Sequence, residues 1–167
     1  MKFRKSSLGD IKNIMDIIKD AQYYFKSASI DQWQDDYPNE NVIKNDILNE
    51  TSYIIEINNA IAAAFSLSFN VEGTYKNIYE GNWLSKGKYA VLHRLAVQDK
   101  YKGRGIATEV LKKAKEISLS NGIHSIKIDT HRKNSPMKKL LLKNGFLYCG
   151  VIYLEDNSER LAFEKTF

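Results

Sequence analysis

The chain is poor in cysteine and in long apolar runs, and each shortage excludes a class of protein. Its one cysteine, Cys149, cannot form a disulfide within the chain and fits a reducing compartment. No run of eighteen apolar residues occurs, and no apolar stretch follows the charged start at residues 1–6. Neither a membrane span nor a signal peptide is therefore expected. These absences predict a cytoplasmic protein with no membrane partner.

Length and charge narrow the class further. A chain of 167 residues, 43% of them hydrophobic, suffices for one sizeable core and is too short for two domains of usual size, so a single domain over residues 1–167 is predicted.

The net charge of +5 suggests nucleic acid as a possible partner. However, the lysines are scattered, and the longest basic cluster, at Lys112, Lys113 and Lys115, is typical of a solvated helix face. A polyanionic ligand accounts for part of the excess just as well, so no nucleic-acid partner is expected.

One glycine-bearing turn separates a strand pattern from a helix pattern. The apolar segment at residues 89–97 has a strand signature, and a helical period begins at Ile106 and runs to Ser118. Between them the sequence reads Lys-Gly-Arg-Gly at residues 102–105. A turn of this kind gathers backbone N–H groups and the positive end of the helix dipole at one point. The pattern therefore predicts a phosphate-binding site.

Two common nucleotide motifs are absent from this turn. A Walker loop needs a Gly-Lys pair followed by Ser or Thr, and no such triplet occurs in the chain. A dinucleotide fingerprint needs a third glycine, and Thr108 stands there instead. The turn also follows a strand late in the chain, whereas the dinucleotide fingerprint follows the first strand of its unit. ATP and NAD are therefore poor candidates for the ligand.

The same segment resembles the GNAT N-acetyltransferases, in which a strand ending in a Leu-Ala-Val-like tripeptide is followed by Q/R-x-x-G-x-G/A and a long helix. Residues 95–97 match the tripeptide and residues 102–107 match the motif, with Lys102 in the Gln/Arg slot. Lysine keeps a cationic donor but lacks the planar guanidinium. The resemblance implies that backbone amides of residues 103–108 hold the pyrophosphate of acetyl-CoA, and that N–H groups near residues 95–97 orient its thioester.

A second resemblance lies at residues 134–146, where many GNAT members read N-x-x-A-x-x-L-Y-x-x-x-G-F. Asn134, Leu140 and Gly145 fall at matching spacings, and Asn134 is thereby implied to hydrogen-bond the pantetheine arm. The tyrosine slot holds Leu141, so the acid role often assigned to that tyrosine does not carry over. The cofactor-binding residues predicted in all are Leu95, Ala96, Val97, Lys102, Gly103, Arg104, Gly105, Ile106, Ala107, Thr108 and Asn134.

Periodicity and turn signals give an element order for the whole chain. Asn58 and Asn59 separate two strand-like runs and predict a hairpin, and residues 70–87 predict an irregular excursion. The order β-α-α-β-β-β-α-β-α-β-β matches the GNAT layout, which implies an α/β (α+β) fold with a mixed, mostly antiparallel central sheet flanked by helices. The predicted strands are 2–6, 52–57, 60–69, 89–97, 124–129, 146–154 and 160–166; the predicted helices are 7–26, 40–49, 106–118 and 135–143.

Deprotonation of an alkylammonium is the demanding step of amine acetylation, because a thiol leaves more easily than an ammonium loses its proton. His93, on the strand before the turn, is the first candidate base, although a structural role in the strand is an equal alternative. Asp129 and His131 form a second candidate if both lie on one face of a strand. The alternative is that this pair stabilises the following turn, and Glu80 is a third candidate base.

Candidate acceptor contacts combine aromatic rings with polar groups suited to an ammonium. They lie after the first helix and in the excursion, where packing roles are an alternative, and they are Gln32, Trp33, Tyr37, Glu80 and Trp83.

The function predicted is acetyl-CoA-dependent N-acetylation of a primary amine on a small molecule or peptide, by direct attack and without a metal. A non-catalytic sensor of acyl-CoA is the alternative, because of the leucine at position 141. A homodimer is left open.

Overall fold

The structure, a computed structural model, describes residues 1–69 and 73–167. The described residues form seven strands and four α-helices. The strands are β1 (Lys2–Lys5), β2 (Ser52–Ile57), β3 (Ala60–Ser68), β4 (Ala90–Val97), β5 (Ser125–Thr130), β6 (Leu147–Tyr153) and β7 (Glu159–Thr166). The helices are α1 (Ile11–Ser27), α2 (Glu40–Leu48), α3 (Ile106–Ser120) and α4 (Ser135–Lys143).

The strands form a mixed sheet with the order β1-β2-β3-β4-β5-β7-β6. Antiparallel pairs join β1 to β2, β2 to β3, β5 to β7 and β6 to β7. β4 and β5 run parallel, with Ala90 opposite Ile126 and Val91 opposite Lys127. The predicted fold class and element order are confirmed. The predicted bounds lie within two residues of the observed ones, except that α1 begins at Ile11 rather than at residue 7. Residues 70–72 of the predicted excursion lie outside the described residues.

The predicted hairpin joins β2 and β3. Asn58 and Asn59 form its turn with φ angles of 50° and 61°. A two-residue turn with positive φ at both positions suits the right-handed twist of paired strands, and asparagine adopts that conformation more readily than most residues. The local sequence is therefore sufficient to specify this hairpin.

The chain divides into two compact units, and the first comprises Met1–Leu67 and Arg94–Val110. Its core is formed by one face of α1, by α2 and by the sheet strands beneath them. Ile14, Ile18, Ile43 and Ile54 are among its buried side chains. The apolar period of α1 places its isoleucines on one face, which is what buries the helix.

The second unit comprises Ser68–His93 and Leu111–Phe167. β5, β7 and β6 pair within it, and Tyr75, Val91, Ile152 and Ala162 form a buried cluster on which the half-buried Trp83 packs. This cluster fixes the segment that follows residue 72 against the strands. The prediction of a single domain stays a prediction. No helix among the described residues is long and apolar enough to span a membrane.

Candidate active site

The turn at residues 102–105 opens α3, as the glycine pattern predicts. Gly103 and Gly105 have φ angles of 74° and 80°, and residues 102–105 are exposed. The Glu109 amide donates to the Gly105 carbonyl at 3.1 Å, which begins the helix ladder, and the buried Ile106 anchors the first turn. Any α-helix leaves its first N–H groups without an intrahelical acceptor, so this exposed turn suits an anionic ligand.

The cations of the turn differ in their surroundings. The Lys102 ammonium lies 2.5 Å from Asp99 and 5.7 Å from the centroid of the Tyr24 ring. Arg104 is exposed, and its amide donates to the Tyr101 carbonyl at 3.4 Å. Asp99 therefore offsets part of the Lys102 charge.

The implied thioester-binding residues form the end of β4. Leu95 and Ala96 are buried, and Val97 is half-buried. The strand end is fixed by the Gln98 amide, which donates to the Ala62 carbonyl at 2.9 Å. These contacts fix the position of the tripeptide within the first unit.

His93 and Asp129 both contact Tyr75, a residue that the sequence analysis did not single out. The Tyr75 hydroxyl donates to Asp129 Oδ1 at 2.5 Å. The Tyr75 and His93 rings meet edge to face, with centroids 6.0 Å apart. Tyr75 is buried, whereas His93 and Asp129 are half-buried and keep some access to solvent. The second unit therefore brings two of the three candidate bases onto one tyrosine.

His131 has different surroundings from Asp129. β5 ends at Thr130, so the two residues do not share a strand face as the spacing suggested. His131 Nδ1 accepts a hydrogen bond from the Lys133 amide at 3.1 Å, and the His131 carbonyl accepts from the Asn134 amide at 2.9 Å. Both contacts belong to the turn that leads into α4.

Asn134 is the N-cap of α4. Its Oδ1 accepts from the Met137 amide at 3.3 Å, and its Nδ2 donates to the Thr130 hydroxyl at 3.0 Å. The residue is buried, so its amide already stabilises the helix start. Leu141, in the slot where many GNAT members carry tyrosine, is fully buried.

The Trp83 ring contacts Tyr75 and Lys127 in the second unit. It stacks on Tyr75 with ring centroids 5.7 Å apart, and its indole N–H donates to the Tyr75 carbonyl at 3.0 Å. The Lys127 ammonium lies 4.1 Å from the Trp83 ring centroid and 3.7 Å from that of Tyr89. Burial lowers the pKa of Lys127, which the nearby Glu164 carboxylate opposes. One face of Trp83 is thus already occupied by a cation of the chain itself.

Glu80 lies where the excursion approaches β6 closely. Tyr79 exchanges two backbone hydrogen bonds with Val151, at 2.8 and 2.7 Å. A Cβ at Gly81 would lie 2.0 Å from the Cys149 carbonyl oxygen, so this approach requires glycine. Glu80 itself is exposed and has a φ of 57°.

The three remaining candidate acceptor residues lie in the first unit, where two have structural contacts that the sequence did not reveal. Trp33 is half-buried and meets Phe25 edge to face at 5.6 Å. The Tyr37 hydroxyl, on a side chain that is exposed, accepts from Arg94 at 3.0 Å. Gln32 is half-buried, and its backbone N–H donates to the Ile30 carbonyl at 2.9 Å.

Cys149 is buried in the second unit. Burial, and after it the Glu164 charge, raises the pKa of the thiol above its ordinary value. A thiol in this state is a weak nucleophile, because the thiolate is the reactive form. Residues 1–69 and 73–167 also contain no group of three or more His, Cys, Asp or Glu side chains that could hold a metal ion.

Comparison with known proteins gives consistent matches. The profile of the acetyltransferase (GNAT) family matches residues 12–146. A GNAT-family acetyltransferase of Streptococcus agalactiae 2603 is 32% identical, with a TM-score of 0.91 over 99% of this chain and 95% of that one. The PaiA N-acetyltransferase of Thermoplasma acidophilum, solved with coenzyme A, shares the fold at 16% identity and a TM-score of 0.76, over 99% and 98% of the two chains. A ribosomal-protein-alanine N-acetyltransferase of Brucella melitensis shares it at 14% identity and a TM-score of 0.71, over both full lengths. No curated protein matches this chain.

Proposed function

The chain belongs to the acetyltransferase (GNAT) family, and from that premise we propose that it transfers the acetyl group of acetyl-CoA to a primary amine by direct attack in a ternary complex. The observation that carries the proposal is the contact of His93 and Asp129 with one buried tyrosine, Tyr75. Such an arrangement supplies a proton acceptor whose ring packs against a tyrosine that is itself held by a hydrogen bond to Asp129.

Acetyl-CoA is the co-substrate of this family, and the residues present suit it. An exposed turn with two left-handed glycines, at the start of α3, presents backbone N–H groups to an anion. We assign the pyrophosphate to the amides of residues 103–108 and the thioester carbonyl to those near Leu95–Val97. We assign Asn134 to the pantetheine arm because of its place in the family motif at the start of α4.

In the proposed step the neutral amine nitrogen attacks the thioester carbonyl carbon. A C–N bond forms, the C–S bond breaks, and the amine proton passes to the imidazole of His93. Tyr75, held by Asp129, limits the orientations of that ring. His131 is the alternative acceptor, and it would act from the turn after β5.

Direct attack is favoured over an acyl-enzyme because the chain has a single cysteine, and burial raises the pKa of that thiol. The departing coenzyme A thiolate needs no dedicated acid, since an ordinary thiol has a pKa of about 8.5. A leucine at position 141 is therefore compatible with turnover.

For the acceptor we propose contacts from Gln32, Trp33, Tyr37, Glu80 and Trp83. Glu80 is the strongest of them for an ammonium, because its carboxylate is exposed. Trp83 contributes packing rather than charge, since the Lys127 ammonium already lies over its ring.

The test measures acetyl-CoA binding by calorimetry and thiol release with a panel of amines. The panel includes polyamines, aminoglycosides and a peptide with an N-terminal alanine, because a protein of the same fold is named for that acceptor. We expect thiol release with at least one amine, together with the acetylated product by mass spectrometry, and none with the matching alcohol. Binding without turnover on any amine would favour an acyl-CoA sensor, and failure to bind acetyl-CoA would contradict both functions.

A further inference from the structure

Arg94 has an unusual backbone conformation for its place in the chain. It lies within β4 yet has a φ of 52°, in the left-handed region. Among the described non-glycine residues with positive φ, it alone lies inside a strand. Arginine has no local preference for this region, unlike asparagine or aspartate. Contacts elsewhere in the fold must therefore hold it there.

The Arg94 side chain supplies those contacts. Its Nε and Nη2 each donate to one oxygen of Asp46 at 2.7 Å, and its Nη1 donates to the Tyr37 hydroxyl at 3.0 Å. Both side chains of the ion pair are only 14% exposed. Burial disfavours the guanidinium charge, yet Tyr37 and Asp46 together raise the pKa of Arg94 above its ordinary value. A bidentate pair of this kind fixes direction as well as distance.

Both partners are themselves fixed. Asp46 lies on α2, whose Ile43 is buried in the first unit's core. The Tyr37 carbonyl accepts from the Gln22 side chain of α1 at 3.0 Å. The guanidinium is therefore held by groups outside β4, one on α2 and one in the segment before it, and this ties the strand to them at the residue just before Leu95.

We propose that Arg94, Asp46 and Tyr37 form a lock that keeps β4 in its left-handed kink and so aims the amides of Leu95–Val97 at the thioester of acetyl-CoA. The proposal rests on the proposed function. In the lock all three act as positioning residues, through the backbone of the following tripeptide, and Tyr37 does so in addition to its proposed contact with the acceptor. A buried ion pair is better suited to specifying one conformation than to adding net stability.

The test separates the backbone from the side chain. Arg94→Ala should lower kcat about a hundredfold, and Asp46→Asn should lower it about tenfold. In both variants the KM for acetyl-CoA should change less than about threefold. Arg94→Gly should recover part of the activity lost in Arg94→Ala, because glycine adopts positive φ without strain. A merely structural role would show as changed stability in both variants, with an unchanged kcat per folded molecule.

A second readout does not depend on the acceptor. Adding acetyl-CoA to the ¹⁵N-labelled protein should shift the amide signals of Leu95–Val97, and Asp46→Asn should reduce those shifts. Arg94→Lys and Tyr37→Phe serve if the larger changes prevent folding, and both should give smaller losses in the same direction. The control is Glu56→Gln, which alters the separate ion pair with Arg4 and should leave kcat and the amide shifts unchanged.

The outcomes separate the two proposals. If the variants of Arg94 and Asp46 fold and keep the wild-type kcat, the lock is overturned. If no acceptor amine is found, the lock is overturned when these variants show the same acetyl-CoA-induced amide shifts as the wild type. A wild-type protein that binds acetyl-CoA, shows lock-dependent amide shifts and acetylates no amine supports the lock and contradicts the proposed function. Wild-type amide signals that do not respond to acetyl-CoA also overturn the lock.

Discussion

At the scale of single residues, His93, Tyr75 and Asp129 form a continuous set of contacts. The tyrosine ring meets the imidazole, and the tyrosine hydroxyl donates to the carboxylate. Asp129 thereby fixes the tyrosine, and the tyrosine limits the rotation of the histidine ring. A base that is held in one orientation is more effective than a mobile one, because the entropy cost of reaching the reactive geometry contributes less to the activation free energy.

The first prediction concerns His93. His93→Gln should lower kcat about a hundredfold, since a positioned general base typically contributes a factor of this order. Steady-state kinetics at one neutral pH, with saturating acetyl-CoA, would measure the loss.

The matched control is His124→Gln, since His124 is an exposed histidine beside the carboxyl-terminal backbone of Phe167. It should keep the wild-type kcat. An unchanged kcat in His93→Gln together with a lowered one in His131→Gln would transfer the role of base to His131.

At the scale of secondary-structure elements, α3 shows which features follow from local sequence. Its helical period predicts a buried face, and Ile106, Val110, Leu111 and Ala114 are indeed buried. Period and glycine positions are local properties, so they specify the helix and its opening turn directly.

Long-range contacts explain what the sequence did not predict. Tyr75 meets Asp129 across 54 positions, and Arg94 meets Asp46 across 48. Neither pair has a spacing signal, and the left-handed arginine runs against local preference. The turn before α3 could therefore be predicted from the sequence, whereas the surroundings of the candidate bases and acceptor residues could not.

The next prediction compares the two ends of α3. Gly105→Ala and Gly122→Ala both place a Cβ at a positive φ with open space around it, so each should cost about 1 kcal/mol of stability. Only Gly105 belongs to the proposed pyrophosphate turn. We therefore expect Gly105→Ala to weaken acetyl-CoA binding about tenfold and Gly122→Ala to leave it unchanged.

Calorimetric titration of both variants, with urea unfolding as the measure of stability, checks this comparison. Equal weakening by the two substitutions would mean that the turn acts only through helix stability. No weakening by Gly105→Ala would remove the turn from the pyrophosphate site.

At the scale of the whole molecule, acid should destabilise the fold for two reasons. The net charge is already +5 at neutral pH, so protonating carboxylates increases self-repulsion. Arg4 also forms ion pairs with Asp10 at 2.8 Å and with Glu56 at 2.5 Å, and these join β1 to the start of α1 and to β2. Carboxylates paired in this way must be protonated before the chain unfolds in acid.

The last prediction isolates the contribution of Asp10. The hydrogen bond from Arg4, supported by those from Ser7, holds the pKa of Asp10 well below its ordinary value. Its stabilising effect is therefore complete above the unfolded pKa of about 3.9 and is lost as pH falls through the lower folded value. Asp10→Asn should reduce the free energy of unfolding by about 2 kcal/mol at pH 7 and by progressively less at more acidic pH. Urea unfolding at pH 7, 4 and about 2.5 measures how the difference in stability between Asp10→Asn and the wild type shrinks. The control is Asp20→Asn, on the exposed face of α1, which should have the wild-type stability at each pH. A difference between Asp10→Asn and wild type that stays constant down to the lowest pH would show that the ion pair does not govern the acid sensitivity.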